Sequence, residues 1–143
     1  MFTGEYEYKI DEKGRVPLPP RFRGVLKAGV VLTRGFENCI VGYTTTGFDE
    51  QAKMVAGNRL GAAHRRRYKR FFFGNAFNMA LDGQGRVALP VKLRQHAGID
   101  SDESVVIIGA DNYFEIWNLA ALEAESAAVG AEVWDIAERM ENQ

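Results

Sequence analysis

A ten-residue stretch occurs twice in this chain, as IDEKGRVPLP from Ile10 to Pro19 and as LDGQGRVALP from Leu81 to Pro90, with Asp, Gly, Arg, Val, Leu and Pro unchanged. Asp11 to Asp82 and Arg15 to Arg86 are both 71 residues apart. Self-similarity at a fixed spacing means that the chain is built from two structural units of one kind. The likeness continues with Arg21-Phe22-Arg23 against Lys92-Leu93-Arg94 at the same spacing. LTRGFENCIVGY (32–43) then aligns with VIIGADNYFEIW (106–117) at a spacing of 74, which pairs Gly35 with Gly109, Asn38 with Asn112 and Tyr43 with Trp117. The three-residue drift falls in the connector AGIDSDES of the second copy.

Each unit reads alike. The strand YEYKI alternates Tyr6, Tyr8 and Ile10 with Glu7 and Lys9, which gives one buried face, and AFNMAL is its counterpart. The turns DEKG and DGQG follow; Asp11 and Asp82 can bond their own downstream backbone, and Gly14 and Gly85 accept positive φ. Short strands RVPL and RVAL come next, and Pro19 or Pro90 opens a brief helix that stops near Gly24 or Gly98. A second hairpin turns at RGFEN or GADN. Helix is expected in GFDEQAKMVAGNRL, in the segment ending HRRRYKR, and in LAALEAESAAV and EVWDIAERM, while FFF at 71–73 is expected to start the strand into the second loop and to be core or interface. The domain reading is a first repeat with its following helix (1–58), a basic connecting helix with the start of the next strand (59–76), and a second repeat with an acidic helical tail (77–143). A unit of about forty residues buries too little core alone, so the two copies are expected to pack as a pseudo-dimer.

The net charge of −1 conceals an uneven distribution. Residues 1–96 hold 17 Lys/Arg and 8 Asp/Glu, whereas residues 97–143 hold Arg139 against 11 acidic residues. Such a split fits a basic surface for nucleic acid with an acidic tail, and it also fits two solvated faces. Cys39, the single cysteine, excludes an internal disulfide framework and reads as a small buried hydrophobe in a strand. The first residues lack a basic stretch followed by an apolar one, and no apolar run approaches the ~20 residues of a membrane span. A cytoplasmic location is therefore expected.

Two readings of the loop stand side by side. In one, Asp11 and Asp82 cap the turns and pair locally with Arg15 and Arg86, contacts worth about 0–1 kcal/mol when exposed. In the other, the arginines reach outward to phosphate or guanine edges, Lys13 adds charge, and Gln84 meets an adenine edge or a phosphate. A two-stranded ribbon with arginine at its tip fits the major groove. The run RLGAAHRRRYKRFFFG is a second basic surface, with Arg65, Arg66, Arg67, Lys69 and Arg70 serving either as phosphate contacts or as an interface to acidic tails.

The doubled D-x-x-G-R-V loop, each copy followed by x-L-P, together with RRRYKRFFFGNA and YFEIW, resembles the MraZ family of bacterial transcriptional regulators, within the SpoVT–AbrB-like superfamily. The resemblance covers nearly the whole chain. It implies an α+β fold in which two tandem SpoVT–AbrB-like repeats form a swapped-hairpin β-barrel pseudo-dimer with flanking helices. It implies ring-shaped homo-oligomers and binding to direct repeats in promoters of the division and cell-wall gene cluster, including the chain's own operon. The family's D-x-x-x-R motif falls on Asp11 and Arg15, and again on Asp82 and Arg86. The copies differ at Glu12 and Lys13 against Gly83 and Gln84, so the first loop is expected to contribute more to DNA.

Catalysis is not expected. His64 and His96 are far apart, and neither H-E-x-x-H nor C-x-x-C occurs. GQGRVALP is not a dinucleotide fingerprint, and the acidic tail lacks calcium-loop spacing. The expectation is thus a cytoplasmic, nucleoid-associated regulator of double-stranded DNA with repeated sites, without cofactor, metal, small-molecule substrate or membrane partner. The alternative is an oligomeric scaffold or protein-interaction module, built on aromatics such as Tyr43, Trp117 and Trp134.

Overall fold

The structure is a computed structural model that describes residues 1–57 and 59–142. The expected domain boundary at Asn58 and the end of the tail at Gln143 lie outside the described residues. The first half comprises strand β1 (Glu5–Lys9), strand β2 (Arg15–Pro17), the single-turn helix α1 (Pro20–Arg23) running into a 3-10 turn (Gly24–Leu26), the hairpin β3 (Val30–Arg34) and β4 (Ile40–Thr44), and helix α2 (Thr45–Ala56). Helix α3 (Ala62–Gly74) leads into the second half, which repeats the order as β5 (Phe77–Met79), β6 (Arg86–Ala88), α4 (Val91–Ala97), β7 (Ser104–Gly109), β8 (Phe114–Asn118) and α5 (Leu119–Glu141).

The strands flanking each Asp–Arg turn take their partners from the other half. One sheet runs β1-β7-β8-β4-β3-β5 and is antiparallel throughout, so β1 of the first half pairs with β7 and β5 of the second pairs with β3. A separate antiparallel ribbon joins β2 to β6, with Val16 opposite Val87 at its centre. The main core reflects the same exchange. Val16, Leu18, Phe22 and Leu26 are buried together with Val87, Leu89, Leu93 and Ala97, four pairs at the 71-residue spacing. Neither half encloses these side chains without the other, which accounts for two copies of a unit too small to stand alone.

The register corrects the expected alignment of the second hairpin. Tyr8 faces Val105 and its equivalent Met79 faces Val30, so β3 corresponds to β7 at a spacing of 75. Leu32 faces Gly42 and Ile107 faces Ile116, so β4 corresponds to β8 at 74. The first turn is therefore one residue longer, closed by the Gly35 N–H to the Cys39 carbonyl (3.0 Å) where the second closes from Ala110 to Tyr113 (2.8 Å). Gly35 matches Ala110 rather than Gly109. A one-residue slip would turn every side chain of a strand to the opposite face, and Val30 and Leu32 belong in the same buried cluster as Val105 and Ile107.

The expected strand at Phe71–Phe73 is helix. Their spacing continues the amphipathic face of α3: Phe72 stacks on Phe48 of α2 at 5.1 Å, Phe73 meets the same ring edge-on at 6.1 Å, and Tyr68 lies one turn back at 6.2 Å from Phe72. The side chain of Asn75 caps the helix end by donating to the Phe71 carbonyl (2.8 Å), and the strand begins at Phe77. The two helical segments expected after the second hairpin form one 23-residue helix, α5, which absorbs Gly130 at a cost of about 1 kcal/mol. Pro19 and Pro90 stand just ahead of the helical backbone, with ψ of 136° and 139°. Gly98 ends α4 in the left-handed conformation (φ 65°), whereas Gly24 is helical and lets the first copy continue into the 3-10 turn.

Candidate nucleic-acid interface

The two turns are built alike from the same local chemistry. One carboxylate oxygen of Asp11 accepts from the backbone N–H of Lys13 and of Arg15, both at 2.9 Å, and the other accepts from Arg15 Nε at 2.8 Å. Asp82 accepts from Gln84, Arg86 and Arg86 Nε at the same three distances. Each turn is closed by a backbone pair, the Asp11 N–H to the Arg15 carbonyl and the Asp82 N–H to the Arg86 carbonyl, both 2.9 Å. Gly14 and Gly85 sit at φ 77° and 74°, where an L side chain is strained. The Arg15 backbone N–H, foremost, holds the Asp11 carboxyl below its ordinary range, partly opposed by desolvation, and Arg86 does the same for Asp82. Both carboxylates are thus charged at neutral pH.

The local Asp–Arg pairing considered from sequence is therefore present, and it leaves the arginines accessible. The salt bridge occupies Nε at 2.8 Å in each copy, and the side chains retain 31% (Arg15) and 26% (Arg86) of their exposure. Anchoring through Nε fixes the plane of the guanidinium, and among the described residues no outer nitrogen is hydrogen-bonded to the carboxylate of its own turn, an arrangement suited to forked contact with phosphate or a base edge. Lys13 and Gln84 are exposed at the turn tips, and Gly14 and Gly85 are buried beneath them.

The β2–β6 ribbon brings the two turns together. Arg15 pairs with Ala88 and Arg86 with Pro17, and the ladder continues through the Leu18 N–H to the Gly85 carbonyl (3.0 Å) and the Leu89 N–H to the Gly14 carbonyl (2.9 Å). An outer nitrogen of Arg86 lies 3.9 Å from the Asp11 carboxylate, so the two charge pairs touch across the ribbon.

Two further arginines belong to this site and were aligned in the sequence without being given a role. The Arg23 guanidinium covers Gly85, the turn glycine of the other half, and donates through Nε to the Leu18 carbonyl at 2.9 Å. Arg94, 71 residues on, covers Gly14 in the same crosswise manner, but its buried Nε has no partner among the described residues. The repetition of Arg21-Phe22-Arg23 as Lys92-Leu93-Arg94 was the available signal; only the exchange of halves shows what it serves.

The basic run lies elsewhere. Arg65, Arg66, Arg67, Lys69 and Arg70 are on α3, which packs on α2, and among the described residues none of them forms an ion pair. Of the histidines, His64 is exposed, and His96 Nε2 lies 2.8 Å from the Glu37 carbonyl. Cys39 is buried, as expected, and its donor atom lies within 4.8 Å of those of Glu37 and Glu115. Burial first, then the two carboxylates, push the thiol far above its ordinary value, which disfavours the thiolate that a metal would need. A cavity between α2, α3 and the first hairpin is lined by Tyr43, Tyr68, Phe72, Tyr113 and Glu115, with no paired nucleophile and base. No helix among the described residues is long and apolar enough to cross a membrane.

Comparison with known proteins places these features in a family. A family model described as "MraZ protein, putative antitoxin-like" matches twice, at residues 1–71 and 72–141. A protein of Dehalococcoides mccartyi strain BAV1 named "Transcriptional regulator MraZ" is 40% identical over 142 residues, covering 99% of each chain. Proteins of the same name from Deinococcus radiodurans (43% over 132 residues, 92% of each chain) and Roseiflexus castenholzii (40% over 134 residues, 89% of this chain and 92% of that one) are similar along most of their length.

Proposed function

The chain belongs to the MraZ family, and from that premise we propose that it is a sequence-specific, DNA-binding transcriptional regulator. It acts on direct repeats in promoters of the division and cell-wall gene cluster, its own operon included, as a ring-shaped homo-oligomer associated with the nucleoid in the cytoplasm. Arg15 and Arg86 make the principal contacts, with Lys13 and Gln84 beside them, and Asp11, Gly14, Asp82 and Gly85 shape the turns. Arg65 to Arg70 are secondary. The protein is not an enzyme. The pairing of β1 with β7 and of β5 with β3 supports reading the fold as a swapped-hairpin barrel.

One observation carries this reading: two Asp–Arg turns of the same geometry lie at the two ends of one short antiparallel ribbon, each with an anchored, accessible guanidinium. A β-ribbon with arginine at its turns suits the major groove, and a ring of such ribbons meets repeated DNA with repeated contacts. The first loop carries the larger share, because Lys13 extends its reach where the second has Gln84. The second reading, an assembly module without DNA, is favoured only by exposed apolar side chains such as Phe36 and Trp134.

Fluorescence anisotropy with the chain's own upstream region and a scrambled duplex, across a salt series, tests the proposal. Light scattering monitors the assembly of wild type and Arg15→Ala. Sequence-preferring binding that weakens with salt and is lost in an intact Arg15→Ala oligomer is expected. Equal binding to scrambled DNA, or an unchanged variant, overturns it and leaves the turns structural.

A further inference from the structure

The longest helix of the molecule is held by little of its length. At 1.5 Å per residue the 23 residues of α5 extend roughly 34 Å. Leu122, in its first turn, is its one buried residue among those described, and its partners are β7 and β8. Beyond that turn Val133, Trp134, Ile136 and Met140 are 50%, 74%, 45% and 72% exposed. Trp134 apart, these positions are not scattered. Leu122, Val129, Val133, Ile136 and Met140 lie on one stripe with alternating spacings of seven, four, three and four, the seam of a helix that packs against another. Glu125 and Glu132 flank the stripe on one side and Glu123 on the other. The helix carries six acidic residues against Arg139.

The chain has a surface of opposite character. Helix α3 carries Arg65, Arg66, Arg67, Lys69 and Arg70 with no acidic residue. Its inner face, through Tyr68 and Phe72, is turned to α2. Arg66 and Arg70 follow one another along the outer face at helical spacing, and at its edge Phe73, whose ring also meets Phe48, and Met54 of the adjoining α2 are 44% and 68% exposed. The five positive charges of α3 thus face the net five negative charges of α5 in number. Among the described residues neither helix forms an ion pair within the chain.

We propose that α5 of one copy docks along the outer face of α3 and α2 of the next, its apolar stripe covering Phe73 and Met54 and its acidic flanks meeting Arg66 and Arg70. The occupant is a second copy of this chain, because the apolar width, helical form and opposite charge that the α3 face requires are all present on α5. The two surfaces are different, so the contact is head-to-tail and propagates from copy to copy, closing a ring where the rotation allows. This rests on the self-association part of the proposed function and names the surfaces that make it. It also assigns the basic helix to assembly and leaves DNA to the Asp–Arg turns.

The test uses the full chain, by sedimentation. Four forms are compared: wild type, Arg66→Glu with Arg70→Glu, Glu125→Lys with Glu132→Lys, and all four changes together. The expected result is an assembly reduced to the 16.0 kDa monomer by either pair alone and restored when both are combined. Rising salt should weaken the assembly as the screening length falls from ~10 Å at 0.1 M to ~3 Å at 1 M. A monomeric wild type, an assembly unaffected by both pairs, or a failure of the fourfold variant to reassemble would overturn the proposal. So would retention of mass with loss of DNA affinity in the Arg66/Arg70 variant, which would give the helix to DNA instead. Loss of DNA binding by an assembled Arg15→Ala protein is a separate outcome, so the two readings fail independently.

Discussion

Gly14 and Gly85 occupy the same place in the repeated motif and the same conformation, yet Gly85→Ala is expected to cost more. An alanine at either site must hold a left-handed backbone, a penalty of roughly 1–2 kcal/mol. The surroundings then separate them. A Cβ on Gly14 would stand 3.1 Å from the Arg94 guanidinium carbon, and among the described residues Arg94 Nε has no hydrogen bond to lose. A Cβ on Gly85 would stand 2.3 Å from Arg23 Nε, so Arg23 must swing away and abandon its 2.9 Å bond to the Leu18 carbonyl. Such a bond from a partly exposed charged donor is worth about 1–2 kcal/mol net. Gly14→Ala should therefore cost about 1–2 kcal/mol and Gly85→Ala about 2–4 kcal/mol. For a chain of this size 1 kcal/mol moves Tm by roughly 3–4 °C, so calorimetry at one fixed protein concentration separates the variants. The decisive control is the Arg23→Met background, where no Nε remains to be displaced and Gly85→Ala should fall to the cost of Gly14→Ala. Equal costs in wild type, or a gap that survives Arg23→Met, would refute the reasoning.

Two further outcomes follow from the packing and the charges. Gly42 faces Phe114 across β4 and β8, and a Cβ there would lie 2.2 Å from that buried ring, so Gly42→Ala should cost about 1–3 kcal/mol of overpacking, read as a lowered urea midpoint, and be partly rescued by Phe114→Leu. Asp11 and Asp82 have folded-state values below their ordinary 3.8, so their ionised forms stabilise the fold above that value and the contribution is lost as pH falls through the lowered one. The stability gap between wild type and Asp11→Asn/Asp82→Asn should accordingly be flat at neutral pH and shrink in acid; a gap that widens on acidification would contradict the assignment.

What the sequence made legible was what lies within a few residues along the chain. The Asp–Arg turns could be read because an aspartate, a glycine and an arginine within five residues satisfy one another locally. The shared core could be read because Val16 with Val87 and Leu18 with Leu89 repeat at the same spacing as the turns. Strand partners could not, since β1 fits the edge of either hairpin by pattern and only long-range packing selects β7. The role of Arg23 was hidden for the same reason: its target, Gly85, lies in the other half. Phe71–Phe73 misled because three adjacent aromatics carry no period, and the choice of helix came from Phe48 on another element. The second hairpin was displaced by one because a matching pair of glycines outweighed the burial of Val30 and Leu32, which alone reports strand phase.

The ribbon that joins β2 to β6 lies within one polypeptide, and this separates two kinds of dilution. A unit assembled from two separate half-length chains would lose its paired turns as concentration fell. Here the partner turn is tethered, so the pair of arginines persists in a lone molecule however scarce the protein becomes. Under the proposed function, what scarcity removes is the joining of one molecule to the next, and with it the multiplied hold on repeated DNA. A cell that changes the amount of this protein would thus vary the reach of the reader while leaving its alphabet untouched.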